Sequence, residues 1–119
     1  MAQTIERIKA QAAWDRIEAL GGHGVWESDI VVVSLANTEV LDDDLALFRD
    51  FPYVQILDLS QTKITELGLA HLVDLPVLEE IILIGTQISL QALGEFARAH
   101  AGVKVRTKPP QSTINPFGL

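Results

Sequence analysis

The sequence of 119 residues predicts a single α/β domain, built as a short right-handed solenoid with a parallel sheet on its concave side and helices on its convex side. A pattern of apolar residues recurs every 24 residues, and each copy combines strand-like with helix-like spacing. Segments at both ends have the composition of caps. The predicted parts are an N-terminal cap (1–29), repeats at 30–53, 54–77 and 78–101, a C-terminal cap strand (102–110) and a tail (111–119).

The repeat is visible when the segment VQILDLSQTKIT, residues 54–65, is shifted by 24 residues in either direction. Most aligned positions keep one chemical type in all three copies, and no insertion interrupts the alignment. The aligned sets are Ile30, Val54 and Leu78; Val33, Leu57 and Ile81; Leu35, Leu59 and Leu83; Thr38, Thr62 and Thr86; Val40, Ile64 and Ile88; Leu45, Leu69 and Leu93; Phe48, Leu72 and Phe96; and Phe51, Leu75 and Ala99. One unit cannot bury its own apolar side but stacked units can, so we expect these apolar residues to share a core.

Two periods within each copy predict a short strand followed by a helix. Leu57 and Leu59 alternate as on one face of a strand, whereas Leu69, Leu72 and Leu75 lie on one stripe of a helix. The threonine of each copy ends the strand, and its hydroxyl is expected to satisfy backbone groups in the turn. The expected N-cap residues of the three helices are Asp42, Thr65 and Ser89.

The first 35 residues predict a helix and a hairpin that cap the array. A helix over 4–20 is expected to end at a glycine-rich segment, residues 21–24. GVWES is expected to pair antiparallel with DIVVVSL around a turn near residues 27–29, which blocks the first edge of the sheet. The helix residues expected to cover the core are Ile5, Ile8, Ala12 and Ile17, and the two tryptophans, Trp14 and Trp26, are expected to act as core plugs.

The last residues predict one further strand and then a tail. The segment GVKVRT, residues 102–107, alternates Val103 and Val105, which we expect to point inward. Pro109 and Pro110 end the pairing because proline lacks the N–H donor that a sheet requires. The remaining residues, 111–119, are expected to be a mobile tail or to dock over the last repeat.

The segments LGG, DIVVVSLANTEV, VQILDLSQTKIT and EEIILIGTQIS resemble bacterial leucine-rich repeat proteins with 24-residue, threonine-containing repeats and a ribonuclease-inhibitor-like shape. The resemblance covers residues 17–107. Repeats of that family usually carry protein interaction, so the resemblance implies protein binding. This chain has about three full repeats, so a shallow arc is expected in place of a deep horseshoe.

Composition excludes several classes of function. The net charge of −7 disfavours nucleic-acid binding, which needs a basic face. The charge is uneven: residues 25–52 carry seven acids against one arginine, whereas residues 101–119 carry three bases and no acid. Zero cysteines exclude disulfides and thiolate metal sites. No apolar run is long enough for a membrane span and no secretory signal is visible, so a cytoplasmic protein without cofactor, metal or membrane partner is expected.

The variable strand positions of the repeats are the predicted binding surface. They are expected to face away from the core, and several are large and apolar, which often marks an interaction site. The predicted partner-binding residues are Val32, Ser34, Ile56, Asp58, Ser60, Glu80, Ile82, Ile84, Lys104 and Arg106. The predicted function is noncatalytic binding of an unidentified protein partner. The alternatives are lateral packing of β-branched neighbours without a partner, a self-associating structural module with weak homo-oligomerisation, and a hydrolytic enzyme that uses the carboxylates of the concave face.

Three other groups of residues have both a functional and a structural interpretation. The run from Asp42 to Asp44 suggests a cation site, but we expect it to complement the positive end of a helix. His23, His71 and His100 share no ligand spacing, so surface or structural roles are expected. Asp58 and Glu80 suggest an acid–base pair, yet no nucleophile elbow, phosphate loop or zinc motif accompanies them, and the sequence predicts no enzyme.

Overall fold

The computed structural model describes residues 2–27, 30–51 and 53–107, which form one sheet with helical segments between its strands. The elements in chain order are α1 (Ala2–Ala19), β1 (His23–Glu27), β2 (Ile30–Ser34), a 3₁₀ helix (Asp42–Arg49), β3 (Ile56–Asp58), α2 (Glu66–Leu69), β4 (Glu80–Ile82), α3 (Leu90–Ala99) and β5 (Lys104–Arg106). The strand order is β1-β2-β3-β4-β5. Strands β1 and β2 are antiparallel, and the remaining pairs are parallel.

The 24-residue interval of the sequence is the step from one parallel strand to the next. Val33 pairs with Leu57, Leu57 with Ile81, and Ile81 with Val105. The side chains of Val33, Leu57 and Ile81 are fully buried, and they belong to one core with apolar residues of the helical segments. The expected alignment of these positions is therefore confirmed.

The predicted fold class, a short right-handed solenoid with a parallel sheet on its concave side and helices on its convex side, is wrong. The β1–β2 hairpin makes the sheet mixed, and the helical segments differ in length and type, with 18 residues in α1, eight in the 3₁₀ helix, four in α2 and ten in α3. Helix α1 belongs to no repeat, yet it buries Ala10, Ala13 and Ile17 in the same core. The chain therefore folds as a small α/β domain around one core, with a helix-covered face and an outer face of the sheet.

A threonine closes the turn after each of the first three parallel strands. The Thr62 hydroxyl donates to the carbonyl oxygen of Leu59 at 2.7 Å, and Thr38 and Thr86 donate to the carbonyl three residues earlier at 2.6 and 2.9 Å. The preceding residue has a left-handed conformation in all three turns, with φ values of 61° at Asn37, 57° at Gln61 and 75° at Gly85. The expectation that threonine satisfies backbone groups in the turn is confirmed.

Two of the three expected N-caps are confirmed. The side chains of Thr65 and Ser89 accept hydrogen bonds from backbone N–H groups in the first turn of their helices, at 3.3 and 3.1 Å. The expectation for Asp42 is wrong, because the N-cap residue of the 3₁₀ helix is Leu41. The carboxylate of Asp42 binds Thr65 instead, so it connects two successive helical segments.

The aligned position at the start of the repeats is not equivalent in all copies. Ile30 is 56% exposed, whereas Val54 and Leu78 are buried. Ile30 belongs to the five-residue strand of the hairpin, where alternation places Val31 and Val33 inward and Ile30 outward. Strands β3 and β4 are shorter and begin after Val54 and Leu78, so the alternation of β2 does not extend to these two residues, which are buried.

The last aligned position also departs from the pattern, because Ala99 is exposed. Helix α3 continues through Ala99, and the next residue, His100, takes the place on the buried side. The His100 Nε2 atom lies 2.9 Å from the carbonyl oxygen of Leu75, and its ring centroid lies 5.9 Å from that of Phe96. A histidine therefore joins the end of α3 to the preceding repeat.

The predicted core face of the first helix is largely wrong. The buried residues are Ala10, Ala13 and Ile17, whereas Ile8 is 64% exposed and Ala12 is exposed. Positions five apart, such as 12 and 17, lie well apart around a helix, so the proposed set never formed one stripe. The side chain of Ile5 lies outside the described residues. The helix ends at Ala19 and is followed by Gly21 with a φ of 94°, as the glycines predicted.

The hairpin and the last strand are confirmed. Glu27 pairs with Ile30, and the expected turn between these residues lies outside the described residues. Val103 and Val105 are half-buried and pack against the core. The prolines at 109 and 110 and the tail at 111–119 also lie outside the described residues.

Candidate binding surface

The outer face of the sheet carries two rows of side chains that cross all five strands. The strand register gives a first row of Val25, Val32, Ile56, Glu80 and Lys104, and a second row of His23, Ser34, Asp58, Ile82 and Arg106. The residues between the rows on β2, β3 and β4 are the fully buried Val33, Leu57 and Ile81. The sheet therefore brings eight of the ten predicted binding residues onto one face.

The other two predicted residues, Ser60 and Ile84, follow the strands and continue the same surface. Asn37 donates its backbone N–H to the carbonyl oxygen of Ser60 at 2.9 Å, and Gln61 donates to that of Ile84 at 2.8 Å. The inter-strand pairing therefore extends beyond the strand ends. Ser60 and Ile84 are half-buried, as is the equivalent Ala36.

The apolar part of the outer face is centred on β1, β2 and β3. Val25 is 49% exposed and Ile30 is 56% exposed, whereas Val32, Ile56 and Ile82 are half-buried. Neighbouring β-branched side chains on a sheet cover one another, which accounts for the partial burial. The apolar strip nonetheless remains in contact with solvent across three strands.

Sequence reasoning missed Val25, the neighbour of Val32 in the first row. Its place follows from the antiparallel register, in which Val25 lies opposite Val32 and Trp26 opposite Val31. The signal was present in the alternation of GVWE, but the repeat alignment does not include this segment. Ile30 was also missed as a surface residue, because it was assigned to the core.

Charged groups occupy the β4–β5 end of the outer face. Arg106 and Glu80 form an ion pair across these strands, and the Glu80 side chain is 18% exposed. Lys104 lies next to Glu80 in the register and is exposed. The outer face therefore changes from apolar at β1–β3 to charged at β5.

The two carboxylates that suggested an acid–base pair both have structural partners. Asp58 accepts a hydrogen bond from the Ser60 backbone N–H at 2.9 Å, as in an Asx turn. Glu80 is paired with Arg106. A general acid or base must reach a substrate with its carboxylate, and both of these carboxylates are held by contacts within the sheet.

Four aromatic rings pack together beside β1. The ring centroids of Trp14 and Trp26 are 6.0 Å apart, and those of Trp26 and Phe51 are 5.0 Å apart. Phe51 is fully buried and Trp14 packs against the core, whereas Trp26 is 45% and Tyr53 43% exposed. The prediction of a core plug is wrong for Trp26, which lies at the border between the core and solvent.

The acidic run at residues 42–44 divides into three separate roles. Asp44 accepts hydrogen bonds from the Leu41 N–H and from Arg16, both at 2.9 Å, so it complements the start of the 3₁₀ helix as expected. Asp42 accepts from Thr65, and Asp43 is exposed. Adjacent carboxylates with separate partners do not converge on one ion.

The pKa of Asp44 is lowered by its hydrogen bonds. Burial alone raises the pKa of this carboxyl, but the hydrogen bonds from Arg16 and from the Leu41 backbone, together with the positive charge of Arg16, outweigh it. The Arg16–Asp44 ion pair connects α1 to the 3₁₀ helix. The N-terminal helix is thus attached to the repeats by charge as well as by apolar contact.

The three histidines lie apart from one another. His23 is exposed on β1, His71 is half-buried between α2 and β4, and His100 contacts Leu75 and Phe96. Within residues 2–27, 30–51 and 53–107, no group of three or more His, Asp or Glu side chains is arranged to hold a metal ion.

A shallow depression lies on the helical side, between the 3₁₀ helix and α2. Its volume is about 320 Å³, and its lining includes Leu41, Asp43, Lys63, Leu67 and His71. Leu41 is 55% and Leu67 76% exposed. These leucines provide a second exposed apolar region that is separate from the outer face.

No known family model matches this chain, and no curated protein is found to be its relative. The resemblance to leucine-rich repeat proteins therefore stays a prediction. In the part of the chain that the structure describes, none of the helices has the length and apolar character needed to cross a membrane.

Proposed function

We propose that this protein is a noncatalytic binding module that captures a protein partner on the outer face of its sheet. The observation that supports the proposal is the continuous apolar strip formed by Val25, Val32 and Ile56, with Ile82 beside it in the second row. Burying apolar side chains of this size against a partner releases water and stabilises a complex.

The charged end of the outer face would orient the partner. Lys104 is exposed at the β5 end, and the Glu80–Arg106 pair lies between it and the apolar strip. Charges at the rim of an interface contribute more to orientation and to the association rate than to affinity. A partner with an apolar centre and an acidic group near one end would match this arrangement.

The short, rigid sheet supports this role. The residues beneath the strip, Val33, Leu57 and Ile81, are fully buried and hold the strands in register. A surface that is already formed before binding loses little conformational entropy when a partner docks. The two carboxylates of the outer face already have partners, which favours binding over acid–base chemistry.

Affinity capture from an extract of the native cell tests the proposal. The Ile82→Asp protein is expected to lose a partner that the wild-type protein retains, because a carboxylate in the strip must be desolvated on binding. The matched control is Leu67→Asp, which changes an exposed apolar residue on the helical side and should retain the partner.

Thermal unfolding of both variants separates loss of binding from loss of folding. We expect Ile82→Asp to lower the free energy of unfolding by about 1 kcal/mol or less, because the residue is only half-buried. Retention of every captured protein by Ile82→Asp would contradict the proposal. The proposal would also be contradicted if Leu67→Asp lost the captured proteins while Ile82→Asp retained them.

A further inference from the structure

Strand β1 is an edge strand without the features that usually protect sheet edges. Within residues 2–27, 30–51 and 53–107 its only neighbour in the sheet is β2. It is five residues long and contains neither lysine nor proline. The opposite edge, β5, has three residues of which two are Lys104 and Arg106. Short length and positive charge are among the devices by which proteins prevent edge pairing, so β5 is better protected than β1.

The side chains on and beside β1 add exposed apolar area to the open edge. Val25 is 49% exposed on the outer face, and Trp26 is 45% exposed on the opposite side of the strand. Ile30, which is 56% exposed, lies on β2 opposite the last residue of β1, and Tyr53, which is 43% exposed, belongs to the aromatic group with Trp26 and Phe51. An edge strand with exposed apolar residues on both of its faces is a template for a further strand.

The sequence of β1, HGVWE, is complementary to itself in one antiparallel register. A two-fold axis through Val25 places Val25 opposite the same residue of a second copy and pairs all five residues of the strand. Gly24 then lies opposite Trp26 of the second copy, a small residue facing a large one.

Other two-fold registers are poorer. An axis through Gly24 or Trp26 pairs only three residues of the strand with one another, and the second places two tryptophans directly opposite. Because cross-strand pairs are the unit of sheet stability, the register through Val25 forms the most favourable contacts. The strand therefore favours one register and one occupant, a second copy of itself.

We infer that two copies of this protein associate through β1 as a symmetric antiparallel dimer, which joins their sheets into one continuous sheet of ten strands. The first outer row then runs from one copy into the other through the two Val25 residues, so the apolar strip doubles in length. This interface shares Val25 with the surface of the proposed function but lies along the edge of β1, whereas Ile82 lies on β4, so Ile82→Asp should dimerise like the wild type.

Sedimentation equilibrium over a concentration series up to the millimolar range tests the association. The wild-type protein should rise from the mass of one chain, 13.0 kDa, towards twice that mass. Val25→Arg should remain monomeric, because the two-fold axis places like charges directly opposite. The matched control is Ile30→Arg, which adds the same charge to the same face on β2 and should associate like the wild type.

Variants with a single cysteine test the register of the paired β1 strands by forming a bond, and not by the loss of dimerisation. The chain contains no cysteine, so each variant carries one thiol. Val25→Cys should form a disulfide between copies under mild oxidation, because opposed residues on paired strands have adjacent Cβ atoms. His23→Cys should not, because the two positions would be roughly 14 Å apart along the strand.

Either experiment can overturn the inference. A wild-type protein that keeps the mass of one chain at every concentration contradicts the dimer. If Val25→Arg dimerises as well as the wild type, the contact between copies lies elsewhere than β1. If Val25→Cys and His23→Cys form disulfides in equal yield, the register through Val25 is wrong. Circular dichroism of each variant ensures that the compared proteins are folded.

Discussion

The carboxylate of Asp42 accepts two hydrogen bonds from Thr65, one from the backbone N–H at 2.7 Å and one from the hydroxyl at 2.6 Å. The same hydroxyl accepts a hydrogen bond from the Leu67 N–H at 3.3 Å. The 3₁₀ helix of one repeat therefore positions the N-cap of the helix in the next. Because α2 has only four residues, this contact is an important support for its first turn.

Removal of this carboxylate should destabilise the fold. Asp42→Ala leaves the Thr65 N–H without its charged acceptor, and we expect the free energy of unfolding to fall by about 1.5–3 kcal/mol in urea titrations. Asp43→Ala removes an exposed neighbouring carboxylate and should change the free energy of unfolding by less than about 0.5 kcal/mol. Equal losses in the two variants would show that local charge rather than the Thr65 contact matters.

The close packing of α2 against the 3₁₀ helix requires a glycine. A Cβ atom at residue 68 would lie 2.6 Å from the Oδ1 atom of Asp42 and 2.9 Å from the Cδ1 atom of Leu45. We therefore expect Gly68→Ala to lower the free energy of unfolding by about 1–3 kcal/mol, because the added methyl group separates the two segments.

Gly94 is the matched control for this change. It lies within α3, and an added Cβ atom meets nothing within 4 Å. Gly94→Ala should therefore raise the free energy of unfolding by about 0.5–1 kcal/mol through helix propensity. A stabilising effect at both positions would mean that α2 can move away from Asp42 at little cost.

The buried threonine of the second turn should contribute through its hydroxyl. Thr62 is 4% exposed and donates to the Leu59 carbonyl oxygen. Thr62→Val keeps the shape but leaves that carbonyl without its partner, so we expect a loss of about 1 kcal/mol in thermal or urea unfolding. Thr86→Val, at a half-buried position, should cost less because water can replace the donor.

The Arg16–Asp44 pair predicts a pH dependence of stability. The pKa of Asp44 is lower in the folded protein than its ordinary value of 3.8, so the unfolded state takes up the proton first as the pH falls. The contribution of Asp44 is therefore complete above pH 3.8 and is lost as the pH falls from there through the folded pKa. Urea titrations at a series of pH values measure this change.

The matched variant for this prediction is Asp44→Asn, which should be less stable than the wild type at neutral pH and should approach it in acid. The coupling between Arg16 and Asp44 in a double-mutant cycle should be about 0.5 kcal/mol at neutral pH, because Arg16 is 54% exposed. A difference between Asp44→Asn and wild type that is constant from neutral to acidic pH would contradict this account.

The repeat alone predicted the register of the parallel strands. Leu57 and its equivalents recur at a fixed interval, and a fixed interval without insertions leaves one way to place each buried side chain beside the next. The three threonine turns followed for the same reason. The orientation of residues outside the repeat was predicted less well, because no equivalent residue in another repeat constrained it.

The errors have physical causes in particular residues. Ile30 faces solvent because the hairpin keeps β2 extended from its first residue, and the partner strand lies outside the alignment. The 3₁₀ helix, α2 and α3 begin at equivalent positions 24 residues apart, so the N-cap equivalent to Thr65 and Ser89 is Leu41, whose side chain has no acceptor, and Asp42 is left to bind Thr65. The solenoid prediction was wrong because equal sequence intervals do not require equal helices between the strands.

The candidate surface was predictable where it depends on the repeat. Ile56, Glu80 and Lys104 were assigned to one face from the interval alone, and the structure places them in one row. Val25 was not, because its place beside Val32 depends on the hairpin register. The same hairpin makes β1 the edge of the sheet, and this is where we infer that a second chain of the protein binds.

The binding proposal depends on which side of the sheet a partner contacts, and methyl NMR measures this directly. Isoleucine, leucine and valine methyl groups are labelled, and the captured partner is added. We predict that the signals of Val32, Ile56 and Ile82 shift, while those of Leu41 and Leu67 on the helical side stay unchanged. Shifts at Leu41 and Leu67 with unchanged signals from Val32, Ile56 and Ile82 would contradict the proposal.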